Sequence, residues 1–295
     1  MRGPADGEDG FVLVSVLAVL AVLGAVLTAA TLQLRSATSL VQARAETVRL
    51  QGAADGIARL IADDLDLQRT YRTAGLGLPE DGSPVACPLG QGRSALLSIQ
   101  DQGRLIDLNT TPRPAMEEAF RLLGVPDREA LALGAEIVDY RDPDDTPEPN
   151  GGAERAQYRA QGLAWAPRNG PFLSIEEIGR LPSVTPALAH RLAPALTVHN
   201  PGGRFDLAGL LGRLNPAAVQ KLPASATPVP SPRQYFRLAV VVSDARARAG
   251  RAVIFGPGAT GFVVWQQTVP PDLGAGRAHP ACAAIAAAFS VPPRR

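Results

Sequence analysis

From Phe11 to Leu32 the chain runs through Val, Leu and Ala with no charge, and Ser15, Thr28 and Thr31 are its polar members. About 20 such residues wound as a helix match the ~30 Å hydrocarbon core of a bilayer. Everything downstream must therefore start from a membrane surface or from a cleaved signal. Before the run stands a short leader, Met1 to Gly10, in which Arg2 is outnumbered by Asp6, Glu8 and Asp9. A secretory signal needs a basic leader, a shorter apolar stretch and a small-residue cleavage site, and only Leu27-Thr28-Ala29 resembles the last. Beyond the run, Leu34, Ala37, Val41, Ala45 and Val48, then Ile57, Leu60 and Leu65 after a step at Gly52, recur at helical spacing without a proline. The periodicity predicts an amphipathic helix continuous with the membrane helix.

A polar leader ending in glycine, then Phe, then an apolar helix running into an amphipathic one resembles the amino terminus of type IV pilins and type II secretion pseudopilins. The resemblance implies cleavage by a prepilin peptidase after Gly10 and methylation of Phe11 as the first mature residue. Most members carry glutamate at the fifth mature position, which here is Ser15. That departure resembles the large minor pseudopilin K family, whose place at the pseudopilus tip leaves no neighbour to pair with a membrane-embedded carboxylate. The acidic leader, with Arg35, Arg44 and Arg49 beyond the helix, gives no positive-inside support for orientation. A single pass through the inner membrane with the bulk in the periplasm is therefore what the resemblance implies. So are its partners: other minor pseudopilins, the major pseudopilin and the prepilin peptidase.

The 295 residues leave room after the membrane helix for one large or two ordinary domains with real cores. A formal charge of +1 makes no electrostatic case for nucleic acid. Cys87 and Cys282 fit no metal spacing, and in an oxidising periplasm they either bridge or remain two thiols.

Residues 72–93 read as a Gly- and Pro-rich loop, Ala95–Ile99 with Arg104–Leu108 as a hairpin, and three further strands as Tyr235–Val242, Arg251–Phe255 and Phe262–Val269. The material between is helical, so a sheet is split by an insertion. The expected fold is α+β: a long N-terminal helix packed on a small antiparallel sheet, with a large inserted all-helical domain. The expected divisions are leader 1–10, membrane helix 11–32, remaining helix 33–71, sheet domain 72–109 with 233–270, insertion 110–232 and tail 271–295. Pro223 to Arg233 is the return linker.

The insertion contains a loose repeat of helix pairs. One starts at Thr111, read as an N-cap with Pro112 in the first helical position; another starts at a Ser174-x-x-Glu177 capping box; a weaker third follows Phe205. These pairs resemble helix-hairpin-helix DNA binders, which raises the rival reading of a membrane-anchored DNA-uptake protein. The turn Leu181-Pro182-Ser183-Val184-Thr185 lacks the glycines that let backbone amides approach a phosphate, and Glu176, Glu177, Arg180 and Arg191 cancel. The pairs read better as a packing or protein-binding module.

Between the first two pairs lies an acidic loop holding Asp142, Asp144, Asp145 and Glu154. Hard oxygen ligands suit calcium, but Pro147 and Ala153 stand at the sixth and twelfth positions from Asp142, which excludes an EF-hand. Gly152-Ala153-Glu154 followed by Tyr158 resembles the calcium-binding stretch of the protein K insertion, and the resemblance implies those four carboxylates as ligands. The alternative is a solvated acidic loop salted by Arg141 and Arg155. Gly256–Gly261 matches a dinucleotide fingerprint by letters alone and reads as a hairpin loop, since Pro257 removes a donor. His190, His199 and His279 form no triad or metal pattern, so no enzyme is expected. Trp165, Tyr158 and Phe172 read as core. For partner helices, the expected face comprises Ser15, Val41, Ala45, Val48 and Ile57.

Overall fold

The computed structural model describes residues 9–71, 73–222, 229–256, 263–267 and 272–290. Most of the leader, most of the return linker and nearly all of the 256–261 loop lie outside them.

One helix, α1 (Asp9–Tyr71), carries both the apolar run and the amphipathic continuation without interruption. Within it, Leu13–Gln33 is long and apolar enough to cross a membrane, and none of that span is buried inside the chain. The buried residues of its second half, Leu50, Ala54, Ile57, Ala58, Ile61 and Leu65, recur every three to four positions and so form one stripe. That stripe packs on a five-stranded antiparallel sheet in the order β1-β2-β5-β6-β7, with β1 at Val85–Gly90, β2 at Arg93–Asp101, β5 at Phe236–Ser243, β6 at Arg248–Phe255 and β7 at Val263–Gln267. Alternate residues of the sheet, among them Ala95, Leu97, Ile99, Leu238, Val240 and Val242, face the helix, as the period of two requires. Arg251 of β6 reaches both carboxylate oxygens of Asp55, tying α1 to the sheet.

The expected hairpin of Ala95–Ile99 with Arg104–Leu108 is not formed. Strand β2 pairs instead with β1, from the stretch read as loop, around Gly90-Gln91-Gly92. Gly90, Gln91 and Gly92 all have positive φ, and glycine adopts that conformation without strain. Residues 104–108 instead start the insertion: β3 (Ile106–Asp107) pairs in parallel with β4 (Leu196–Thr197). The inserted domain is therefore not wholly helical. Its other elements are α2 (Arg113–Leu122), α3 (Asp127–Arg141), α4 (Arg155–Ala160), α5 (Pro186–Leu192) and α6 (Leu207–Leu214), with a 3-10 turn over Ile175–Arg180. They enclose a second core built on Met116, Phe120, Ile137, Tyr140, Phe172 and Leu192.

Two expected caps shift. Pro112, not Thr111, precedes α2, because the Thr111 hydroxyl accepts the Asp107 N–H. Ser174 makes no side-chain cap; Glu177 accepts from Leu173 N, Tyr140 Oη and Arg168 instead.

The stretch expected as a tail contains α7 (Ala281–Ser290), which buries Ile285 in the sheet-domain core. Phe289 lies against Gly56, where an added Cβ would stand 3.0 Å from its ring, so the absent side chain admits the aromatic. Cys87 of β1 and Cys282 of α7 form a disulfide, and Arg277 exchanges backbone hydrogen bonds with the β1 edge.

Candidate functional site

Helix α3 ends among acids. Asp139 lies in its last turn with no exposure and Asp142 follows it as C-cap. Carboxylates at a helix C-terminus oppose its dipole, so these two are placed where a negative charge is disfavoured. Asp139 Oδ1 accepts the Glu148 N–H at 2.9 Å, while its Oδ2 and Asp142 Oδ1 are buried without a hydrogen-bond partner. Glu154, just before α4, is 3 % exposed, and both its carboxylate oxygens are likewise buried and unpartnered. Its backbone N–H donates to Gln157 Oε1 at 3.0 Å, which fixes the carboxylate's origin without satisfying it.

The electrostatics follow from this arrangement. Burial, then the charges of Asp139, Asp142, Asp145 and Asp144, pushes the Glu154 carboxyl up to about 7. Burial first also raises Asp139, aided by Asp142 and Glu148, and raises Asp142, aided by Asp144 and Glu148. Buried polar atoms are normally satisfied, so four orphaned oxygens on three neighbouring acids favour protonation or positive charge beside them. Glycine at 152 belongs to the same geometry, because a Cβ there would collide with Asp139 Oδ2 and the Glu148 backbone.

The four carboxylates expected from the sequence divide. Asp142 and Glu154 carry orphaned oxygens, whereas Asp144 and Asp145 are exposed, with Asp144 Oδ1 accepting from Thr146 N and Asp145 Oδ1 from Asn169 Nδ2. Sequence reading missed Asp139, whose signal was its helical register inside α3. Among the described residues, no three His, Cys, Asp or Glu side chains stand close enough to hold one ion as they are. Arg141 bears on the loop as the alternative reading has it, since its charge favours the ionised form of Asp142. Arg141 donates to the carbonyls of Leu108 and Thr111, and Arg113 bridges Glu117 and Glu148 at 2.7 and 2.6 Å.

At the turn resembling a DNA-binding hairpin, the Ser183 N–H donates to both oxygens of Glu136 at 3.1 Å, and its hydroxyl donates to the same carboxylate at 2.7 Å. An internal carboxylate thus occupies an amide that a phosphate would need. Tyr158 and Phe172 are core, as expected, but Trp165 is half-exposed and donates Nε1 to Arg180 O.

On α1, Gly10 and Phe11 belong to the first turns of the helix. Ala45, Val41 and Val48 are exposed, the last two at 66 % and 71 %. Ile57 is corrected: it is fully buried against the sheet and leaves the partner face, because it falls in the stripe of Leu50 and Ile61.

Residues 95–201 match the family model for protein K of the type II secretion system. No match was found among curated protein sequences. Among solved structures, a chain in the crystal structure of the GspK–GspI–GspJ complex from the type 2 secretion system of enterotoxigenic Escherichia coli superposes with a TM-score of 0.50. At 17 % identity it covers 81 % of this chain and 100 % of its own length, which makes the likeness one of fold. The matched segment runs from β2 of the sheet through β4 of the insertion. The chain thus carries, over residues 95–201, a segment similar to protein K of the type II secretion system, within a fold like that of a chain from the solved GspK–GspI–GspJ complex.

Proposed function

We propose that this chain caps the tip of the pseudopilus and helps to start its assembly, with α1 anchored in the inner membrane and both soluble domains in the periplasm. The observation that carries the reading is topological. Strands β2 and β5 are hydrogen-bonded neighbours in the middle of the sheet, yet the whole helical domain is inserted between them. A subunit that stacks repeatedly along a filament has no room for such bulk, whereas a terminal one does. Ser15 agrees, since a terminal subunit needs no carboxylate to neutralise a neighbour's amino group. The exposed stripe of Val41, Ala45 and Val48 is the face for other minor pseudopilins; the solved relative is itself found with two such proteins. Prepilin peptidase would release a mature chain starting at Phe11. Co-expression of the full chain with that peptidase and the companion minor pseudopilins tests this: intact mass should show Phe11 as the first residue, and the partners should co-purify. A start near Ala30, or no retention of either partner, overturns the reading.

Calcium binding at the acidic loop is part of the same proposal. Asp139, Asp142 and Glu154 supply unsatisfied hard oxygens, and Asp144 and Asp145 lie on the rim, a donor set that fits calcium. Since no three carboxylates converge as they stand, binding requires the 142–145 loop to close on Asp139 and Glu154. Bound calcium would supply the positive charge that relieves their mutual repulsion. The proposal includes no nucleic acid, because Glu136 already occupies the Ser183 amide.

A further inference from the structure

On the sheet face turned away from α1, Gln100, Arg237 and Ile254 stand side by side in one cross-strand row over β2, β5 and β6. The row helps to floor a cavity of about 590 Å³ between the sheet and the helical domain. This volume lies within the range of pockets that hold small ligands, at the kind of domain junction where they concentrate.

The cavity's charges are sorted by depth. Arg213, Arg237 and His199 are partly buried within it, whereas Glu176 and Asp272, with His190, are exposed at its rim. Arg213 is engaged, donating Nη1 to the Asp81 carbonyl and to Gln100 Oε1. The Arg237 side chain makes no hydrogen bond or salt bridge to any described residue. Burial weakens its protonation, and Glu176 offsets part of that cost. A guanidinium is a rigid fork that matches a carboxylate in two parallel hydrogen bonds, so leaving one unengaged inside a cavity is costly unless a ligand completes it. Around it lie the apolar side chains of Leu173, Ile175, Leu196 and Ile254.

We propose that this cleft binds the C-terminal carboxylate of an extended peptide, with Arg237 as its fork. The acidic rim selects against a ligand with many carboxylates, and one terminal carboxylate followed by apolar side chains matches the remaining lining. The site shares no residue with the acidic loop or with the exposed stripe of α1.

The test uses the full chain in detergent and fluorescein-labelled Ala-Leu-Val, with a free carboxylate or as the C-terminal amide, followed by fluorescence anisotropy. The free acid should bind roughly tenfold or more tightly than the amide. Arg237→Gln should erase that preference, while Arg128→Gln, on α3 away from the cleft, should retain it. Equal binding of acid and amide, no binding of the acid at millimolar protein, or a preference that survives in R237Q overturns the proposal. If R237Q melts well below the unmutated chain, Arg237→Lys, which keeps the charge without the fork, decides instead. A preference that R237K leaves intact counts against it, and a preference reduced severalfold counts for it.

Discussion

The Glu136 carboxylate accepts the Ser183 N–H with both oxygens, linking α3 to the turn before α5 across 47 positions of sequence. Burial raises the Glu136 carboxyl and the two Ser183 bonds partly offset it, so the group is retained for the bonds it accepts. Glu136→Ala would leave the Ser183 amide without its acceptor. It should cost about 1–3 kcal/mol in denaturant unfolding, the usual penalty for an orphaned buried donor. It should not create binding to duplex DNA in low salt, because no basic surface accompanies the turn.

The acidic loop sets a pH dependence whose sign follows from Glu154. Its folded pKa, about 7, exceeds the ordinary 4.5, so between those values the native state holds a proton that the unfolded chain has lost. That contribution is fully present below about pH 4.5 and is lost as pH rises towards 7. In chelator the chain should therefore melt higher at pH 5 than at pH 7.5, by the equivalent of up to about 3 kcal/mol from this group. Glu154→Gln should flatten the difference. Calcium at pH 7.5 should raise the melting temperature of the unmutated chain by mass action and leave Glu154→Gln nearly indifferent. Identical melting with calcium and chelator would remove the ion from the account.

Val48 and Ile57 lie on one helix but answer to different surroundings. Ile57→Ala, at a fully buried site, should cost about 2–5 kcal/mol of stability. Val48→Asp, at 71 % exposure, should leave melting almost unchanged and weaken co-purification with companion minor pseudopilins. The reverse pattern in paired melting and pull-down measurements would exchange their roles.

The long helix was legible because its period persists over many turns, and the split sheet was legible because β5 and β6 are runs of β-branched and apolar residues. The β1–β2 hairpin was not. Val85–Gly90 carries two prolines nearby and alternation too short to register, and its identity as a strand comes from pairing with β2 and from the disulfide to α7. Helix α7 is an alanine run whose burial depends on Gly56 and Cys87, both far away in sequence. For the site, the loop carboxylates were visible as composition. Asp139 was not, because only the fold shows that the last turn of α3 points inward while Asp144 and Asp145 face solvent.

The disulfide pins α7 over a loop of 195 positions. Cys87→Ser with Cys282→Ser should lower unfolding free energy by about 2–5 kcal/mol. It should also speed amide hydrogen exchange in 281–290 before any other helix of the sheet domain. Uniform exchange across that domain would show that α7 holds its place by packing alone.

The central claim is that one copy of this chain ends each pseudopilus. Pseudopili assembled with all their subunits, with an epitope inserted at the exposed Gly124 turn between α2 and α3, can be labelled with gold-conjugated antibody and viewed by electron microscopy. The account predicts one label at one end of each filament and none along the shaft. Label distributed along the shaft, or filaments of normal number and length carrying no label at either end, would contradict it.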